Sequence, residues 1–323
     1  MKAVFNIKAF FILLFLTFLS LVFYSNIANA LEPILSVGRS NIECPGNAGG
    51  VIETPGTTHC EVTPDSQKIT WYRVELCKSK PTGPTPTAVV DRSDCSTFYQ
   101  NDSGSEVSIV KGIGTQIGTA SDYTVVPYGN YTYGIITLGS TFKFTSSVTF
   151  DDVVDDGTNN PSTTCVTKVS SVGIVYGYHT GIDTFAEKNV SCASGATAAE
   201  ITIGVNTLRT DVAGDCNHLL TFQGTAANVD AYMLESDGTL VNGVGVTETD
   251  QIKKNVTGCV ITGSANGVTR IQGIMALDLK ITPDTTGIQI KYNNTRGLTL
   301  AMESSNLIEK FDSAFFDFSL SAL

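Results

Sequence analysis

Apolar and polar positions alternate over short runs along most of the chain, and Gly, Asn, Asp, Thr and Pro separate the runs. A period of two marks strands buried on one face, whereas the 3.6-residue period of amphipathic helices is nearly absent. The pattern predicts an all-β protein. In residues 69–77 (ITWYRVELC), Tyr72, Val74 and Leu76 alternate with Trp71, Arg73 and Glu75. A strand is expected there, with one apolar face and one charged face, and Trp71 on the charged one. The following KSKPTGPTPT carries Pro81, Pro84 and Pro86, none of which can donate a ladder hydrogen bond. It predicts a loop that returns through AVV toward Cys95 and covers Trp71.

The same reading continues downstream. Val107 and Ile109 mark one strand, and Tyr131, Tyr133 and Ile135 mark a second that starts at a Pro127–Gly129 turn. Phe142, Phe144, Val148 and Phe150 follow in TFKFTSSVTF. DDVVDDGTNNPS then breaks the alternation and reads as a linker, with a domain boundary near residue 156. Beyond it, Ile201, Ile203 and Val205 alternate, and Asp237-Gly238 predicts a hairpin turn. Met275, Leu277, Leu279 and Ile281 share a face, as do Ile288, Ile290 and Tyr292, and then Leu298, Leu300 and Met302. Turns at Pro283-Asp284 and Asn293-Asn294 would join these three strands into a meander. SSNLIEKF suggests one or two helical turns, and Phe316, Phe318 and Leu320 a last strand.

Residues 1–30 have another character. Lys2 and Lys8 precede an apolar run over residues 9–23, and Ala28 and Ala30 form an ANA site. The run is short for a membrane span. A signal peptide cleaved after Ala30 is expected, followed by a disulfide-bonded β-sandwich domain over 31–156 and a β-rich domain over 157–323. The expected destination is the periplasm, the cell surface or the extracellular space. All eight cysteines follow the leader: Cys44, Cys60, Cys77, Cys95, Cys165, Cys192, Cys216 and Cys259. An even set in an exported chain reads as disulfides, and pairing of neighbours is the simplest choice among about 105 connectivities. Metal binding by these cysteines is disfavoured, because no C-x-x-C occurs and His59, His179 and His218 lie far apart.

Charge and motifs then narrow the function. Asp and Glu number 31 against 20 Lys and Arg, a formal charge of −11 that deepens once Lys2 and Lys8 leave with the leader. Such a surface repels phosphate backbones, so no nucleic-acid partner is expected. G-x-S-x-G, H-E-x-x-H and P-loop motifs are absent, and GIGTQIG has the wrong spacing for a dinucleotide fingerprint. Asp215, Cys216 and His218 cluster in AGDCNHLL, but groups so close in sequence rarely form a catalytic triad. No catalytic residue, cofactor or metal ligand is therefore assigned. Asp151, Asp152, Asp155 and Asp156 are the best calcium candidate. Val154 breaks the alternation of an EF-hand loop, which favours a solvated linker. Asn101, Asn130, Asn189, Asn255 and Asn293 each open an N-x-[S/T] sequon.

VPYGNYTYGIITLG, residues 126–139, resembles the P-x-G-x-Y-T strand start of prealbumin-like and Ig-like modules in bacterial secreted proteins. ITWYRVELCKS is similar to an earlier strand of such modules. The resemblance spans at most residues 65–150. It implies an extracellular β-sandwich with an inward tyrosine and carries no catalytic residues; Cys77 and Cys95 are not part of it. The expected fold is two antiparallel β-sandwich domains. The expected function is a non-catalytic exported protein of the envelope or surface, structural or adhesive, with a surface glycan or protein as partner. The alternatives are a carbohydrate-binding module that uses exposed aromatics such as Trp71, and a secreted hydrolase with a site assembled from distant residues. An outer-membrane barrel is disfavoured by the short strands, the cysteines and the terminal Leu323.

Overall fold

A computed structural model describes residues 44, 59–85, 87–110, 114–171, 173–176, 188–204, 219–223, 228–240, 268–295, 297–304, 306–313 and 317–323. The expected leader at 1–30, the Asp215–Cys216–His218 cluster and Cys259 lie outside these residues. The described chain is all-β, with a single 3₁₀ turn at Ala120–Asp122 as its only helical element. Its strands are β1 (His59–Val62), β2 (Ser66–Cys77), β3 (Cys95–Ile109), β4 (Gly129–Thr145), β5 (Ser147–Val154), β6 (Ser162–Thr167), β7 (Ile174–Tyr176) and β8 (Val190–Ser191). There follow β9 (Ile201–Gly204), β10 (Leu219–Gln223), β11 (Asn228–Leu234), β12 (Arg270–Ile281), β13 (Ile288–Asn293), β14 (Leu298–Ser304), β15 (Leu307–Ser313) and β16 (Asp317–Ala322). No described helix is long and apolar enough to cross a membrane.

An eight-stranded sheet carries the architecture. Its main path runs β10-β11-β12-β4-β2-β3, with β9 added beside β4 and β7 parallel to β9. Three smaller sheets accompany it: β1-β14-β15, β13-β16 and β5-β6-β8. One large apolar cluster joins them. It takes Ile69, Trp71, Val74 and Leu76 from β2, and Tyr131, Ile136, Leu138, Phe142 and Phe144 from β4. The smaller sheets add Leu298, Leu300, Met302, Ile308, Phe311, Phe318 and Leu320 to the same cluster. A second, smaller cluster occupies the opposite face of the large sheet, around Ile135, Ile274, Tyr232, Leu234 and Val90.

Chain order and sheet order differ where the sequence expected two halves. β12 pairs with β4 from Arg270↔Gly139 to Ile281↔Gly129. Residue 156 therefore does not separate two hydrogen-bonded units. The stretch expected to be a linker is the end of one hairpin strand and the turn after it: β5 pairs with β6 across residues 155–161. Gly157 (φ 81°) and Asn159 (φ 59°) adopt the left-handed backbone that tight turns need.

The C-terminal strands form where alternation placed them, but not as a meander. β12 joins β4 and β11, β13 joins β16, and β14 lies between β1 and β15. A period of two fixes which residues share a face and leaves the neighbouring strand unspecified. Within SSNLIEKF, residues 307–311 are strand rather than helix: β15 pairs with β14, and Ile308 and Phe311 enter the main core.

Three disulfides join Cys44 to Cys60, Cys77 to Cys95 and Cys165 to Cys192. Each links the neighbours in sequence. Cys77 and Cys95 are also cross-strand partners of β2 and β3, so that bridge closes the Pro-rich loop at its base. The expected Cys216–Cys259 pair lies outside the described residues. Disulfides of this kind belong to an oxidising, extracytoplasmic environment.

Candidate functional site

Trp71 is buried, with 2% of its surface exposed. A bulge decides its orientation. Between Trp71 and Arg73, β2 advances two residues while β4 advances one, from Leu138 to Thr137. The extra residue, Tyr72, shifts the alternation by one. Ile69 and Trp71 before the bulge thus face the same core as Val74 and Leu76 after it. The expected separation of Trp71 from the apolar face is corrected accordingly. So is its cover: the ring packs edge-on against Phe318 of β16, with centroids 5.6 Å apart and planes at 76°. The Pro-rich loop lies on the other face.

That other face of the large sheet collects the polar groups. Cross-strand register places Gln100, Arg73, Thr137, Gln272 and Tyr232 in one row over β3, β2, β4, β12 and β11. Gln272 Nε2 donates to Thr137 Oγ1 at 3.0 Å, and Arg73 donates to Gln100 Oε1. One step along β2, the buried Glu75 accepts from Arg92 Nε at 2.8 Å and lies 3.7 Å from Arg73 Nε. Arg92 belongs to the Pro-rich loop, so the ion pair ties the loop to the sheet. Lys80, at the start of the loop, holds Asp230 of β11 at 2.9 Å, and this contact raises the lysine's pKa. Within this loop, which straps the face, Pro81, Pro84 and Val90 are buried. Gly83 approaches Tyr232 so closely that a Cβ there would lie 2.1 Å from the phenol oxygen. Burial, and secondarily the charge of Asp230, pushes the Tyr232 hydroxyl up to about 12.

Below the strap, the bulge leaves Tyr72 on the surface. The Arg270 guanidinium stands 4.3 Å from its ring centroid, a cation–π contact. Lower still, Lys68 meets Glu200 at 2.7 Å and Lys143 meets Glu106 at 2.5 Å. These pairs tie strand to strand, as Glu75–Arg92 and Lys80–Asp230 tie the loop to the sheet.

The Asp-rich stretch is also put to structural use. Asp156 is buried; its Oδ1 accepts from the Thr158 amide at 3.0 Å and its Oδ2 from the Cys192 amide at 3.0 Å. Burial alone would raise its pKa. Hydrogen bonds from Thr158 and Cys192, together with Lys188, outweigh burial and hold the carboxyl below its ordinary value. Asp155 Oδ1 accepts from the Gly157 amide at 2.9 Å, while Asp151 and Asp152 are exposed. These contacts close the β5–β6 turn and dock it beside β8. Among the described residues, no three His, Cys, Asp or Glu side chains converge to hold a metal ion.

Asn189 shows what a sequon cannot reveal. It is fully buried, and its side-chain amide pairs with the backbone of Phe311 as a strand would. Nδ2 donates to Phe311 O at 2.7 Å, and Phe311 N donates to Oδ1 at 2.8 Å. Asn101 holds a turn within β3 through the Ser103 amide at 3.1 Å, and Asn130 is exposed. The chain matches no family model, no curated protein and no solved structure.

Proposed function

We propose that the chain is an exported, non-catalytic protein of the cell envelope or surface, with a structural or adhesive role. The observation that carries this reading is the use made of its polar groups. Glu75, Arg92, Lys80, Asp230, Asp156 and Asn189 each fasten one backbone segment to another. Three disulfides add to the same fastening. Chemistry spent on holding strands suits a protein that must persist outside the cell. We take the stacking of the smaller sheets on the large one as a β-sandwich. In support, the buried Tyr131 returns its hydroxyl to Pro127 O at 2.7 Å, the local device of a tyrosine corner in sandwich folds. The carbohydrate-module alternative loses Trp71 as a platform, since Phe318 covers it.

Protease shaving of intact host cells tests the proposal. The protein should be released or cleaved from the outside while cytosolic markers stay intact, and cells lacking it should lose adhesion or envelope integrity. Protection of the protein together with the cytosolic markers until the cells are lysed would contradict it, as would turnover of a substrate by the purified mature chain.

A further inference from the structure

We propose that Glu61, Thr299 and Asp312, one row across the β1-β14-β15 sheet, form a binding site for a hard divalent cation of the calcium type. Register brings the three together: Glu61 pairs with Thr299, and Thr299 pairs with Asp312. Partners directly opposite in antiparallel strands share a face. The next row, Cys60–Leu300–Phe311, points into the main core, so the acidic row lies on the reverse of that sheet.

All three residues are buried, with 7%, 2% and 3% of their surface exposed in the order Glu61, Thr299, Asp312. Two acids this close and this dry favour a cation between them. Acidity alone would not make a site; Thr299 does. Its Oγ1 is buried in the row it shares with Glu61 and Asp312, and it has no hydrogen-bond partner. A native fold rarely strands a buried hydroxyl, and a neutral oxygen in one row with two carboxylates suits a calcium-type ion, which takes six to eight oxygens. Cross-strand Cβ atoms lie about 5 Å apart, and the longer Glu61 side chain can lean over Thr299 toward Asp312. Glu61 and Asp312 make other contacts in the folded chain. An ionised carboxylate has about four lone-pair positions, enough for a protein partner and an ion together. Among the described residues a competing cation is Lys310, half-buried one row along on the same face, opposite Ala301, whose other cross-strand partner is His59. If its ammonium already balances the row, added metal will bind nowhere.

Mature protein passed through EDTA should be titrated calorimetrically with calcium, with magnesium and sodium as controls, and its thermal midpoint followed in parallel. One saturable calcium site is expected, with Kd of about 0.1–1 mM as in extracellular modules. At tenfold excess over Kd the midpoint should rise by about 2–4 °C. Thr299→Val keeps the shape and should weaken calcium by about tenfold with the circular dichroism unchanged. Glu61→Gln should abolish binding. The double variant Asp151→Asn/Asp152→Asn, in the exposed hairpin, should bind as wild type does. No binding by wild type at 10 mM calcium (about tenfold over the upper Kd) would overturn the site. An unchanged Kd in Thr299→Val, or loss of binding in the hairpin variant, would overturn it equally, whether or not Glu61→Gln folds.

Discussion

Trp71 shows how one inserted residue redirects a side chain. Read as strict alternation, β2 puts Trp71 with Arg73 and Glu75; the bulge at Tyr72 puts it in the core with Val74. Nothing in YRV announces a bulge, because the irregularity is a property of three strands paired together. Opposite the same point, β3 makes a four-residue excursion from Gln100 to Ser105, turned by Gly104 at φ 78°. Native Trp71 emission should be blue-shifted and poorly quenched by iodide. Phe318→Ala removes its edge-on neighbour and should cost about 3–5 kcal/mol, with a red shift of the native emission. An unchanged spectrum in that variant would remove Phe318 as the cover. Asn189→Ala strands the N–H and C=O of Phe311 in the interior and should cost about 2–4 kcal/mol, read from a denaturant midpoint. Asp156 sets a pH limit of its own. Its pKa is held low in the fold, so its contribution is complete above the ordinary carboxyl value of 3.8 and is lost as pH falls through the lower folded value. Asp156→Asn should flatten the acid limb of the stability profile in that window.

Among elements, strand existence was legible and strand partnership was not. The faces read from sequence in β12 hold: Met275, Leu279 and Ile281 are buried in the main core, and Leu277 packs against it. Leu279→Asp should prevent folding, whereas the exposed Lys280→Asp should stay within about 0.5 kcal/mol of wild type, both judged by circular dichroism and urea midpoints. Equal effects would contradict the register with β4. The meander failed because short turns do not oblige consecutive strands to pair once other strands offer better-matched faces. SSNLIEKF was misread for a related reason: a short segment with Leu307, Ile308 and Phe311 fits either period until β14 lies beside it. Sheet edges are managed by devices that no local pattern contains. Asn189 occupies backbone positions on β15, and Thr124 N donates to Phe98 O at 3.0 Å along β3. Such contacts block edge-to-edge association.

At the scale of the molecule, alternation and turn residues make the all-β class legible, and β4 and β12 pair across the expected boundary. The Asp-rich stretch looked like a boundary because it lacks aromatic residues. Asp155 and Asp156 instead close the hairpin turn they belong to, and Asp156 also holds the Cys192 amide next to β8. The acidic row of Glu61, Thr299 and Asp312 was illegible for the same reason, since its three members come from strands that only the fold brings together. The three bridges between neighbouring cysteines point to a chain that is fixed by disulfides outside the cytosol. The most direct measurement is thiol labelling in the host: cells are alkylated before lysis and fractionated, and the protein's intact mass is read in each fraction. The protein is expected outside the cytosol, with Cys44, Cys60, Cys77, Cys95, Cys165 and Cys192 all unlabelled. Recovery from the cytosol with these cysteines alkylated would contradict it.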